Sequence, residues 1–456
     1  MIRLCLVVAL VLAPGIAAAQ VAQTNLRYDE DWSQARGTPD RDARWWVRLK
    51  DRPLDRDGTA YLTIGAEARI RYEGFENNNW GQPPSPDDGY LWLRLMPLAD
   101  LHVGPVRTFV QGIAGYARGV AAGAGPADQT GMDLLQSFAD VQLPLGERTS
   151  VTFRGGRELI ALGSERLVGL RYGPNVPQPF DGMRLTLRQG GATLELLHLR
   201  PVAIGPGNFD DRRSRTRRLD GVYATLPLAE RAGADLYWLA YRDDAARFGG
   251  RMAIERRDTL GLRLFGRQGA LGWNWEAMFQ RGRFGDMPIN AWSLATETSL
   301  RFPALPLTPR ARLRANVASG DRDAGDNRLG TFNALFPKGK YFGELSPIGP
   351  RNIVNLHPSV DVDFGDGITA ELAALTYWRA RRADGIYQLP GQLLRDAGGS
   401  DMRHIGEQVE ISLAWQASTI VSLSVSASLF TPGAFLRETG PARPIRMFGA
   451  ESLLRF

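Results

Sequence analysis

The 456-residue chain (50.2 kDa) is 44% hydrophobic and 23% charged, with a formal net charge of +6. A mean hydropathy of -0.23 excludes a helical membrane protein, because past the N-terminus no apolar run approaches the roughly 20 residues of a spanning helix. One cysteine excludes a disulfide-stapled secreted domain.

Residues 1–19 read as a secretory signal: Arg3, an apolar run from Leu4 to Leu12, the breakers Pro14 and Gly15, and Ala17-Ala18-Ala19 before Gln20. Cys5 lies inside it, so the exported chain is free of cysteine. This pattern places the protein in the envelope of a Gram-negative bacterium. Residues 20–60 form a polar segment with Asp29-Glu30-Asp31, Arg41-Asp42 and Trp45-Trp46; a plug edge, a periplasmic extension and disorder are all compatible with it.

From residue 61 the pattern is period two. Leu62, Ile64, Ala66, Ala68, Ile70 and Tyr72 share one face, with Thr63, Glu67, Arg69 and Arg71 on the other. Such alternation predicts strands at 61–75, 88–103, 105–119, 131–145, 149–160 and 180–190. It continues at 191–201, 217–229, 232–244, 256–269, 270–284 and 289–303. In 256–269, Leu260, Leu262 and Leu264 alternate with Thr259, Gly261 and Arg263. The last six are 308–320, 351–364, 367–381, 403–416, 418–431 and 443–456. In 443–456, Phe448, Ala450, Ser452, Leu454 and Phe456 share a face.

These strands are long, paired through tight turns such as Arg188-Gln189-Gly190-Gly191, and separated on the other side by longer polar loops. That combination predicts an all-β fold, a transmembrane antiparallel β-barrel of about 18 strands with a polar lumen, spanning residues 61–456 of the outer membrane. Trp45, Trp46, Trp92, Trp238, Trp273, Trp275, Trp292, Tyr377, Trp378 and Trp415 are expected in interfacial girdles.

Only Lys50, Lys338 and Lys340 are lysines, which leaves 52 arginines among the 55 basic residues. GC-rich coding explains part of that bias. The rest is chemistry: a planar guanidinium binds carboxylates bidentately, and an ammonium does not. On the strands the arginines fall on the polar face (Arg69, Arg71, Arg154, Arg184, Arg188, Arg263, Arg312 and Arg314). On the lipid face each would cost about 2–4 kcal/mol at the midplane. Carboxylates share that face, so part of the set is paired, and the surplus would select anions. No metal-ligand spacing, nucleophile elbow or phosphate loop is present, so neither an enzyme nor a cofactor is expected. The acidic stretch with Asp321, Asp323 and Asp326 has the composition of a calcium loop without its terminal glutamate, and is read first as a hydrated loop.

Residues 152–186, from Thr-Phe-Arg-Gly-Gly-Arg-Glu to Phe-Asp-Gly-Met-Arg-Leu-Thr, resemble the signature of the alginate export family of outer-membrane porins. Ala318-Ser319-Gly320-Asp321 through Thr331-Phe332-Asn333-Ala334-Leu335-Phe336-Pro337 to Tyr341-Phe342-Gly343 is similar to a later segment of it. The resemblance implies a monomeric 18-stranded barrel whose arginine-rich lumen passes an anionic uronate polysaccharide. It carries Arg154, Arg157, Arg166, Arg171, Asn175, Asp181, Gly182 and Arg184 into the candidate site. Glu158 stands where the family usually has glutamine, a negative charge beside Arg157. Pro177-Gln178-Pro179 replaces a more basic approach. The expected lumen set is therefore Arg69, Arg71, Arg154, Arg157, Arg166, Arg171, Arg184, Arg188, Arg312 and Arg314. The expected partners are anionic polysaccharide or small anions, outer-membrane lipid and periplasmic export components, and not nucleic acid. Two alternatives stand beside polysaccharide passage: an uptake porin for small anionic solutes, and a structural envelope barrel.

Overall fold

The computed structural model describes residues 23–35, 44–83, 87–248, 250–323, 325–389 and 391–456. The expected secretory signal, with Cys5, lies outside them. The barrel begins with β1 (Ala60–Glu76), β2 (Asp88–Val103), β3 (Val106–Arg118), β4 (Gly131–Gly146), β5 (Thr149–Leu159) and β6 (Pro179–Gln189). It continues with β7 (Ala192–Ala203), β8 (Arg217–Ala229), β9 (Ala232–Phe248), β10 (Arg251–Gln268), β11 (Leu271–Phe284) and β12 (Met287–Arg301). The last six are β13 (Arg310–Ala318), β14 (Ile353–Gly365), β15 (Ile368–Arg379), β16 (His404–Gln416), β17 (Val421–Pro432) and β18 (Ile445–Arg455).

Each strand pairs antiparallel with its neighbours, and β18 pairs with both β17 and β1. The sheet closes on itself, so no backbone edge faces lipid. All eighteen expected strands are present. The largest boundary difference is at the β9–β10 hairpin, which runs on to pair Ala246 with Ala253 and Phe248 with Arg251.

The alternation decides the two faces. Ile70, Leu260, Leu262 and Val425 are exposed on the outer wall, whereas Glu67, Arg69, Thr259 and Ser426 are buried inside. Trp238, Trp275 and Trp292 stand on the outer surface as expected of a girdle. Trp92 and Tyr377 do not: each falls on the inward parity of its strand and is buried in the lumen.

Turns at one end are short: Gly104-Pro105, Glu147-Arg148 and Gly190-Gly191, where Gly190 takes φ 59°. The opposite end carries the loops 160–178, 319–352 and 380–403. Short turns mark the periplasmic end of such barrels. From that end the N-terminal segment reaches inward. Tyr28 packs edge-on against Phe109 and Phe138 and donates to the Leu159 carbonyl at 2.8 Å. Arg27 donates to the Phe456 carbonyl at 2.8 Å. The described part of residues 20–60 thus packs against the inner face of the wall and the chain's last residue.

Gly156 and Gly182 oppose each other across β5 and β6. A Cβ on Gly182 would lie 2.0 Å from the His198 carbonyl oxygen, and Gly156 holds φ 138°. Gly182→Ala is therefore expected to push β6 from β7 and destabilise the barrel by roughly 1–3 kcal/mol. A lowered temperature for loss of the heat-modifiable gel form would show it; an unchanged one would mean that the sheet gives way freely.

Candidate functional site

The 160–178 loop crosses the inside of the barrel. At one end Arg166 donates to Glu276 of β11 at 2.9 Å, and Ser164 and Tyr237 hold the same carboxylate. At the other, the Tyr172 hydroxyl donates to Glu67 of β1 at 2.5 Å, and Asn175 donates to the Leu93, Tyr116 and Asp128 carbonyls. In an 18-strand ring β11 and β1–β2 are opposite walls, so these contacts make the loop a bar across the lumen. Arg69 and Arg94 hold its carbonyls from below: Arg69 donates to Pro174 at 2.6 Å and to Tyr172 at 3.1 Å. Burial and the neighbouring Glu67 push the Tyr172 hydroxyl up to about 12, so it stays a donor.

The 319–352 loop thickens the bar. Phe336 donates to Leu167, Gly169 to Phe336, and Lys338 to the Glu165 carbonyl at 2.9 Å. Farther on, Lys340 binds Glu73 at 2.7 Å, and the Glu344 amide donates to Glu410 of β16. Burial alone would raise the Glu344 carboxyl, but Lys340 and Arg71 hold it down at about 2.

These contacts sort the expected arginines. Arg69 is committed to loop carbonyls. Arg71 is shared by Glu73, Glu344 and Glu451, Arg154 is bidentate to Asp140 and bonded to Glu158, and Arg166 serves Glu276. They face inward as expected, yet apart from Arg69 Nε their donors are largely engaged and little of their surface is wet, so they build the bar and wall. Arg171 touches Gln178 on the bar itself, with its guanidinium pKa lowered by burial and by Arg217. Asn175 likewise anchors the bar.

Arg157 and Asp181 pair with each other at 2.7 Å on the outer wall, because odd positions of β5 and β6 point away from the lumen. That corrects the lumen placement of Arg157. Glu158, next to Arg157 in sequence, points the other way and accepts from Arg154 and Arg184 on the inner face.

Wet charge remains toward the short-turn end. On β13, Arg310 and Arg312 share Asp361 at 2.9 and 2.8 Å, and Arg314 binds Glu297 at 2.8 Å. The Arg310 and Arg314 side chains are 36% and 27% exposed, against 1% for Arg257 near the loops. Arg184, held by Glu158 and Glu195, and the exposed Arg188 face them from the other wall. Lys338 leans over this vestibule from the bar. Its ammonium pKa is lowered, first by burial and then by Arg314 and Arg166, against Glu165 and Glu297. Sequence reading missed Lys338 as a lumen charge; its place in the 318–343 stretch was the available signal. The vestibule thus holds arginines and carboxylates in exchangeable pairs.

Asp321, Asp323 and Asp326 each accept a nearby backbone amide. Among the described residues the one group of three carboxylates with oxygens within 4.8 Å of one another is Asp133, Asp210 and Asp211, where Asp211 accepts from Gly205 and Thr130, Asp210 from Gly207 and Asp133 from the Asp211 amide. Asp321 instead joins two loops, its amide donating to Asp384 at 2.9 Å. Burial, with Asp384 adding, pushes its carboxyl up to about 6. An acid raised from 3.8 contributes stability that is full below pH 3.8 and lost as pH rises through about 6. Hydrogen-exchange protection in 319–330, corrected for intrinsic rate, is expected to weaken by on the order of 1–2 kcal/mol over that window. The Asp321→Asn variant should be flat, and a wild type equally flat would remove Asp321 as the cause.

Residues 60–449 match the family described as Alginate export. No curated protein matches. Among solved structures, OccK9 (OpdG) of Pseudomonas aeruginosa is 14% identical over 87% of this chain and 98% of its own, with a TM-score of 0.58. OccK2 (OpdF) of the same organism, solved in complex with glucuronate, is 14% identical over 87% and 98%, at 0.57. OpdK with vanillate is 12% identical over 86% and 99%, at 0.56. The fold is shared with these outer-membrane porins.

Proposed function

The chain belongs to the alginate export family, and on that premise we propose that this outer-membrane channel passes acidic sugar chains of the uronate type. The observation that carries the reading is the β13 series, Arg310, Arg312 and Arg314. They stand two residues apart along the inner wall, with Arg310 and Arg314 wet and Arg312 10% exposed between them, each already partnered by a carboxylate. An incoming uronate replaces a resident carboxylate of the same chemistry. No guanidinium is stripped bare, so each exchange costs little desolvation. Binding is then strong enough to admit a chain and weak enough to release it. A relative of the same fold was solved with glucuronate, a single uronate.

A second reading, uptake of small anionic solutes, is favoured by the bar, which takes up part of the cross-section. The test is the reversal potential of the purified protein in a planar bilayer under a salt gradient, with oligouronates of increasing length. Anion preference with block that strengthens with chain length supports the polymer. Block by monomers and oligomers alike supports the small solute. Absence of both block and preference removes both readings.

A further inference from the structure

The outer wall carries an arginine row that the lumen does not explain. Register places Arg218 of β8 opposite Arg242 of β9, Arg242 opposite Arg256 of β10, and Arg256 opposite Arg283 of β11. All four sit on the outward parity, since Leu219, Tyr241, Arg257 and Phe284 beside them are the buried inward residues. Neighbouring strands are about 4.8 Å apart, so the row presents four guanidiniums over about 15 Å. Arg281, in the next outward position of β11, stacks on Phe279 at 5.0 Å.

Carboxylates are present but fewer. Arg218 lies against Asp220 at 2.8 Å and Arg242 against Asp244 at 2.7 Å, while Asp258 accepts from Trp238. Arg256 and Arg283 form no ion pair with a described residue. Arg283 reaches only the Asp286 carbonyl. Five arginines against three aspartates leave this rim positive.

A second observation lies directly below on the same strands. Four residues down from Arg242, about 13 Å along the strand, Trp238 opens an outward row with Leu260, Phe279 and Trp292 in mutual register. With Leu236 and Leu262 beneath, these side chains line an apolar groove of about 860 Å³. The arginines lie at the end that carries the long loops, where the aromatic row marks the interface and the headgroup layer begins.

We propose that this face of β8–β12 is a binding site for lipopolysaccharide, the phosphorylated glycolipid of the outer leaflet. The Arg218–Arg283 row takes its lipid A phosphates, and the groove below takes its acyl chains. Charge and shape commit to that occupant. Phosphate accepts bidentate guanidinium bonds, and an unpaired guanidinium pair at headgroup level lacks an acceptor without it. The groove suits a cluster of chains attached to one head.

The test is retention of hexa-acyl, bisphosphorylated lipid A by the purified barrel in neutral detergent, read by native mass spectrometry. Wild type is expected to keep it, and to keep the dephosphorylated lipid or phosphatidylglycerol on the order of tenfold less. The variant R242Q/R256Q/R283Q is expected to lose the phosphorylated lipid by a similar factor, with reversal potential unchanged, since none of the three faces the lumen. Equal retention of phosphorylated and dephosphorylated lipid, or of phosphatidylglycerol, overturns the proposal. So does undiminished retention by the folded variant. The lipid comparison on unaltered protein decides the matter even if the variant fails to fold.

Discussion

Changing Arg184, Arg312 and Arg314 together to glutamine is expected to shift the channel's ion preference strongly toward cations. Neutralisation suffices, because each arginine is paired: removing three positive charges leaves Glu195, Glu297 and Glu371 without their cations. A unit charge at 4 Å is worth about 1 kcal/mol in bulk water and about 4 at an effective dielectric of 20. A wet vestibule lies nearer the first figure, so the anion-to-cation permeability ratio should fall on the order of tenfold or more. The reversal potential under a salt gradient reads it, and an unmoved value would take these arginines out of the selectivity. Arg154 is kept: it is locked to Asp140 and lies against the Tyr28 and Phe138 rings, so its loss would report on folding.

Deleting the 319–352 loop should have the second large effect. Its ends are adjacent, the Asn352 amide donating to the Ser319 carbonyl at 3.3 Å, so a short glycine-serine linker closes the gap without moving β13 or β14. The deletion removes Lys338, Lys340 and Glu344 and exposes Glu73 and Arg71 to water. Single-channel conductance is expected to rise several-fold, and length-dependent uronate block to weaken. A deletion variant that folds but conducts as before would mean that the 160–178 loop alone sets the narrow section.

The strands were legible because a residue in the wall has only two directions to face, and at mid-membrane depth lipid makes charge costly in one of them. Ile70, Leu260 and Val425 announced the outside, and Glu67, Arg69 and Thr259 the inside. Parity also exposes where motif resemblance misled: Arg157 belongs to the matched stretch, yet sits an odd number of residues from Arg154 and so faces outward. The bar was not legible. Nothing in the composition of 160–178 distinguishes a loop folded inward from one standing in water, since its anchors, Glu67, Leu93 and Glu276, are distant in sequence. The pairing of the lumen arginines was foreseen in kind, but which of them remain wet depends on where the two loops end.

The bar also has a mechanical meaning. A hollow ring of eighteen strands resists stretching along its hydrogen bonds but flattens easily, because that needs only small changes in twist between neighbours. A loop fastened to β11 by a shared carboxylate and to β1–β2 by a tyrosine and an asparagine acts as a strut from one wall to the other. Lateral pressure from the bilayer then meets a braced ring, which resists flattening along the line of the loop better than a hollow one would.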